Sequence, residues 1–121
     1  MIVAGFGFRA SATVESLVSA LDRAAGGRRI DLLATPVDKS RSEIFLLFAK
    51  EINVKPHPVD EESLAAQQTL THSSKVAQTR PTGSVAEAAA LAAAGPGATL
   101  LAPRAVSDDR LATCALAESA P

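Results

Sequence analysis

Gly5-Phe6-Gly7-Phe8-Arg9-Ala10 follows a short apolar run and precedes an amphipathic segment, with Ser11 and Thr13 close behind. Glycines let a backbone approach a ligand closely, and a helix start offers unpaired N–H groups. A guanidinium matches the oxygens of a carboxylate or phosphate two at a time. The pattern meets the loose form of a dinucleotide-binding fingerprint. A nicotinamide site also needs an acidic residue where the second strand ends, whereas this one ends in Ala34-Thr35-Pro36 with Asp38 arriving late. A dinucleotide is therefore disfavoured. Two readings remain equally open. Either Gly5, Gly7, Arg9, Ser11 and Thr13 form an anion-binding turn, or the glycines merely permit a tight turn and Arg9 caps a neighbouring element.

Asp38-Lys39 follows the second apolar run. In a parallel sheet the loops at the carboxyl ends of the strands gather on one edge, where ligands bind, so Lys39 could face the same crevice as Arg9. Taken alone, a surface ion pair is the better account of these two residues. Thr82-Gly83-Ser84-Val85-Ala86-Glu87 is a second helix start preceded by Lys75 and Arg80, which makes another candidate anion site. The plain alternative is a capped helix with both cations solvated. His57 and His72 lack a second His or Cys at metal-ligand spacing, so no metal site and no cofactor are assigned. Ser73 and Ser74 beside His72 have no nucleophile-elbow pattern around them, and no catalytic residue can be named. Cys114 stands alone, which rules out an intramolecular disulfide and fits a small buried side chain.

The elements that would position these residues alternate in type. Residues 2–6 predict a buried strand closed by the glycines, and Val14, Leu17, Val18 and Leu21 recur at helical spacing until Gly26-Gly27. A second strand over residues 30–35 ends at Pro36. Ser40 and Glu43 have capping-box spacing ahead of a helix whose Ile44, Leu47, Phe48 and Ile52 face one way. Residues 53–59 contain two prolines, which confine a third strand to an edge or a strand end. A brief polar helix over 60–68 leads into the longest loop candidate, 69–83. Ser84 with Glu87 repeats the box and opens an alanine-rich helix that stops at Gly95. A fourth strand follows over 98–102. After the turn-like Ser107-Asp108-Asp109, residues 111–116 predict a fifth strand, antiparallel at an edge of the sheet. The expected fold is a three-layer α/β/α sandwich around a mostly parallel (mixed) sheet of about five strands.

Bulk properties limit the partners. A chain of 121 residues with 47% hydrophobic and 21% charged side chains suits a single domain over 1–121. Twelve Lys and Arg against 13 Asp and Glu give no general attraction to a polyanion, and with no Trp or Tyr a stacking platform for nucleic acid has little to be built from. The four Phe residues are expected in the core. The first residues lack the basic and apolar make-up of a secretory signal, and no apolar run approaches the roughly 20 residues of a membrane span. The reading is a cytoplasmic protein that engages neither nucleic acid nor membrane.

Three segments taken together, residues 5–13, Ala34-Thr35-Pro36-Val37-Asp38-Lys39 and residues 82–90, resemble in that order the CobE and CbiG C-terminal family of cobalamin (vitamin B12) biosynthesis. The resemblance spans nearly the whole chain, including Ile52-Asn53-Val54-Lys55 and residues 95–103. It implies a role in building the corrin ring, and as ligand a tetrapyrrole (precorrin or corrin) intermediate bearing acetate and propionate groups, which agrees with the residues above: Arg9, Lys39, Lys75 and Arg80 could pair its carboxylates. It also implies the aerobic route, and other enzymes of the pathway as partners. CbiG-like enzymes open a precorrin lactone and release acetaldehyde. The chain is too short for both CbiG domains, so this hydrolase, with Lys39, Ser84 or Glu87 acting on the reactants, is the alternative to a binding protein.

Overall fold

Strand β1 runs Ile2–Phe8 in the structure, a computed structural model that describes residues 1–69 and 84–121. Successive side chains of a strand point to opposite faces, and β1 feeds two cores this way. Ala4 and Phe6 join Leu17, Leu33, Phe45 and Phe48 on one face, while Val3 joins Ala34, Leu64 and Ala88 to Ala90 on the other. The strand outlasts the apolar run that predicts it, so Gly5 and Gly7 lie inside it and not in a tight turn behind it.

Strands β2 (Leu32–Pro36) and β3 (Pro56–Val59) extend the sheet in parallel from one side of β1. The prolines of β3 sit on the outermost strand, as the missing N–H donors require. The other half of the sheet is antiparallel. The two short strands β4 (Thr99–Leu100) and β5 (Ala105–Val106) both pair with β6 (Ala112–Glu118), which in turn pairs with β1 from Ile2↔Glu118 to Phe8↔Ala112. The result is a mixed, open, six-stranded sheet. The expected edge position of the last strand is corrected here: β6 lies between β1 and the β4/β5 pair, because 98–106 folds back along its far side. Strand β5 had no counterpart in the sequence reading.

Helices cover both faces. Helix α1 (Val14–Ala25) and, after the single turn α2 (Val37–Ser40), helix α3 (Glu43–Ile52) pack on the phenylalanine side. There Phe6 meets Phe48 edge-on at 5.2 Å between centroids, and Phe8 stacks on Phe45 at 5.8 Å. The short helix α4 (Glu61–Ala65) and the alanine-rich α5 (Val85–Ala94) cover the opposite face. Caps set most boundaries: Thr13 starts α1 in a capping box with Ser16, and Gly26 ends it in a left-handed conformation at φ 55°. Asp60 caps α4 by accepting the Ser63 N–H, and Asn53 ends α3 at φ 56°. The expected Ser40–Glu43 box does not form. Ser40 closes α2 by donating to the Val37 carbonyl at 2.7 Å, and Ser42 occupies the position before α3. Leu47, expected on the buried face, is 53% exposed, and Phe45 fills the core in its place.

Candidate functional site

The carboxyl ends of the three parallel strands, with the start of α5, bring most of the described candidate residues to one edge of the sheet. Arg9 is the first residue after β1. Its N–H donates to the Leu111 carbonyl at 2.9 Å, and its carbonyl accepts from Ala12 at 3.0 Å, turning the chain into α1. The Arg9 side chain is exposed and has no ion pair among the described residues. Ser11 is exposed on the same turn, while Thr13 is committed to the cap: its hydroxyl accepts from Ser16 N–H at 3.3 Å and its own N–H donates to Ser16 Oγ at 3.0 Å.

Lys39 reaches the same edge from β2. Its Nζ lies over the Phe8 ring, 5.2 Å from the centroid, a cation–π contact that places the ammonium next to the end of β1. Asp38 is exposed one residue earlier. The surface ion pair that the sequence favoured for these two is not among the ion pairs of the described residues; Lys39 turns to an aromatic face instead.

Helix α5 begins beside the end of β1, since a methyl group placed on Gly7 would lie 3.4 Å from Val85 Cβ. Ser84 caps the helix by accepting the Glu87 N–H at 3.3 Å. Ser84 and Glu87 are both fully buried, and the Glu87 carboxylate accepts the backbone N–H of Arg104 at 2.8 Å. Glu87 thus fastens the segment between β4 and β5 to the first turn of α5. Gly5 serves packing as well. A Cβ there would sit 2.5 Å from Ala90 N and closer still to the Ala86 carbonyl oxygen, so the glycine admits the helix backbone onto the strand. Lys75, Arg80, Thr82 and Gly83, together with His72, Ser73 and Ser74, lie outside the described residues.

The sequence reading missed how residues 107–110 are held at this edge. The Asp109 carboxylate accepts the Ser107 hydroxyl at 2.6 Å, the Ser16 hydroxyl at 2.5 Å and the Leu111 N–H at 3.0 Å. These donors, the Ser107 hydroxyl foremost, hold its pKa below the ordinary carboxylate value. Ser19 Oγ accepts the Asp108 N–H at 3.0 Å, and Arg23 pairs with the Asp108 carboxylate. The only sequence signal was the turn-like Ser-Asp-Asp; its partners on α1 lie far away in the chain. Cys114 is buried in β6, and burial pushes its thiol pKa up, away from reactivity.

Among the described residues, no group of three or more His, Cys, Asp or Glu is placed to hold a metal ion, and no helix is long and apolar enough to cross a membrane. Two open surface grooves lie beside the sheet, one along α1 from Val14 and Val18 to Arg23 and Asp108 of the 107–110 turn, the other between α3 and β3 at Leu46, Val54 and Pro56. The edge itself offers cations, exposed hydroxyls and a capped helix start, a chemistry suited to a ligand with several carboxylates.

Comparison with known proteins agrees with this fold. The family model described as "Cobalamin synthesis G C-terminus" matches residues 2–117. The crystal structure of CobE, a protein from the cobalamin (vitamin B12) biosynthetic pathway, is similar with a TM-score of 0.85 and 31% identity, covering 97% of this chain and 89% of that one. The cobalamin biosynthesis protein chiG from Agrobacterium tumefaciens str. C58 is similar with a TM-score of 0.76 and 36% identity, each chain covered in full (100%). A cobalamin biosynthesis protein G homolog from Sulfolobus solfataricus gives a TM-score of 0.65 at 25% identity, with 96% of this chain matching 36% of that longer one. No curated protein matches the chain.

Proposed function

The chain belongs to the cobalamin synthesis G C-terminus family and is a cobalamin biosynthesis protein; from that premise we propose that it binds a carboxylate-rich corrin or precorrin intermediate at the carboxyl edge of its sheet. The observation that supports this reading is the placing of Lys39 over the Phe8 ring, beside which Arg9 follows in the chain. Arg9 sits on the turn after β1 and Lys39 on α2, and neither has an ion pair among the described residues. A macrocycle rimmed with acetate and propionate groups offers what two such cations lack, and a guanidinium can take a carboxylate with two parallel hydrogen bonds. Phe8, beneath Lys39, adds apolar surface suited to the edge of a ring.

Binding is favoured over lactone hydrolysis by the state of the residues hydrolysis would draw on. Ser84 and Glu87 are fully buried, one capping α5 and the other accepting the Arg104 N–H. A general acid or base has to come within hydrogen-bond reach of the reacting atoms, and of the three residues only Lys39 is not fully buried.

An absorbance titration with hydrogenobyrinic acid, beside a non-corrin tetrapyrrole as control, tests the proposal. A selective spectral shift is expected. Arg9→Ala should weaken binding about tenfold, the loss of a charge-assisted hydrogen bond. If no corrin intermediate produces a shift, the ligand reading fails and a protein partner in the pathway becomes the better account.

A further inference from the structure

Three of the four large apolar side chains exposed among the described residues lie on α2 and α3. Val37 is 40% exposed, Leu46 48% and Leu47 53%; the fourth is Met1. A lone surface leucine needs no explanation, whereas a patch marks a contact. Phe45 and Phe48 fill the core from the inner side of α3, and Leu46 and Leu47 take no part in it. Beside Leu46 the patch runs into the groove between α3 and β3, whose floor is formed by Ala49, Val54 and Pro56.

The charges on the same face say what covers it. Glu43 and Lys50 are both exposed, and their spacing of seven residues is two helical turns, so both stand on the leucine face. They lie about 10 Å apart along the helix, too far to pair with each other. Neither has an ion pair among the described residues. The positions three and four residues away, where a partner on the same helix would stand, are taken by Leu46 and Leu47. The face is therefore symmetric about the point between the two leucines, with charges of opposite sign at its ends. A contact on a two-fold axis joins residue i to residue j and j to i. Two α3 helices laid antiparallel about that point put Glu43 of each copy opposite Lys50 of the other, with four leucines between them; laid parallel, they would oppose like charges. We infer that the exposed face of α3 is a contact with a second copy of this chain, in which antiparallel helices pack Leu46 and Leu47 across a two-fold axis and exchange two Glu43–Lys50 pairs. Burial of the leucines drives the contact, and the rim pairs set its direction more than its strength. The inference stands apart from the corrin reading and draws on none of its residues.

Sedimentation velocity over a range of concentrations tests this on wild type, on the double variant Leu46→Ser, Leu47→Ser, and on Lys50→Glu and Glu43→Lys, with thermal unfolding of each followed at the lowest concentration. Wild type is expected to pass from one chain to two as concentration rises, and the leucine variant to remain one chain while unfolding at the wild-type temperature. Either charge reversal sets like charges opposite each other twice and should weaken the dimer about tenfold. An equimolar mixture of the two reversals restores opposite signs at both places and should form mixed dimers of wild-type strength, a rescue that decides the matter even if the leucine variant fails to fold. Wild type that remains one chain at every concentration overturns the inference, whether or not another protein binds the face. So does a dimer that survives in a folded leucine variant. Charge reversals that leave the dimer unchanged, or weaken it without rescue on mixing, overturn it as well.

Discussion

Asp109 shows how a single exposed side chain can organise a turn. Two hydroxyls and a backbone N–H converge on its carboxylate and favour the ionised form. Because its folded pKa is lowered from the ordinary 3.8, the stability it contributes is fully present above that value and is lost as pH falls through the lower folded value. Asp109→Asn should therefore lower the urea midpoint at neutral pH and flatten the acid side of the stability profile below about pH 4. Equal acid slopes in the two proteins would remove Asp109 from this role. None of these partners was legible in the sequence. Ser107-Asp108-Asp109 announces a turn, but nothing local says that Ser16, in a helix near the other end of the chain, will donate to it. Arg9 and Lys39 were legible as candidates because loops at the ends of parallel strands share an edge.

The pairing of β1 with α5 explains why two elements read correctly as types were misread at their junction. The apolar run of β1 and the capped alanine run of α5 follow from periodicity and caps. Gly5 and Gly7 read as a turn, since glycine in a local pattern means either a turn or a close approach and only the partner decides between them. The partner is a helix lined with alanines, which brings its backbone onto the strand at Gly5. Gly5→Ala should cost about 3 kcal/mol through overpacking, measured by denaturant unfolding. An unchanged midpoint would mean that α5 can lift off the strand without loss. Leu47 carries the same lesson, because the four apolar positions at 44, 47, 48 and 52 are compatible with helical spacing while Phe45 and Phe48 make the inward face.

Across the whole molecule the three-layer architecture was legible from alternating strands and helices, and the position of β6 was not. An apolar strand of small residues can sit at an edge or in the middle; the choice is made by β4 and β5, which are too short to leave a clear pattern. With β6 inside the sheet, a chain ending at Leu111 would expose the edge of β1 and open the phenylalanine core at Cys114 and Leu116. That truncation is expected to abolish cooperative thermal unfolding followed by circular dichroism, whereas a retained sharp transition would show that β6 is dispensable. The pairing of Ile2 with Glu118 also joins segments more than a hundred residues apart. Closing so long a loop costs chain entropy before any ladder bond repays it, and folding rates fall as such distant contacts come to dominate. During synthesis β1 leaves the ribosome before β6 and must wait for it, so until β6 follows one side of the future sheet centre is an open edge that has to be kept from pairing with other chains.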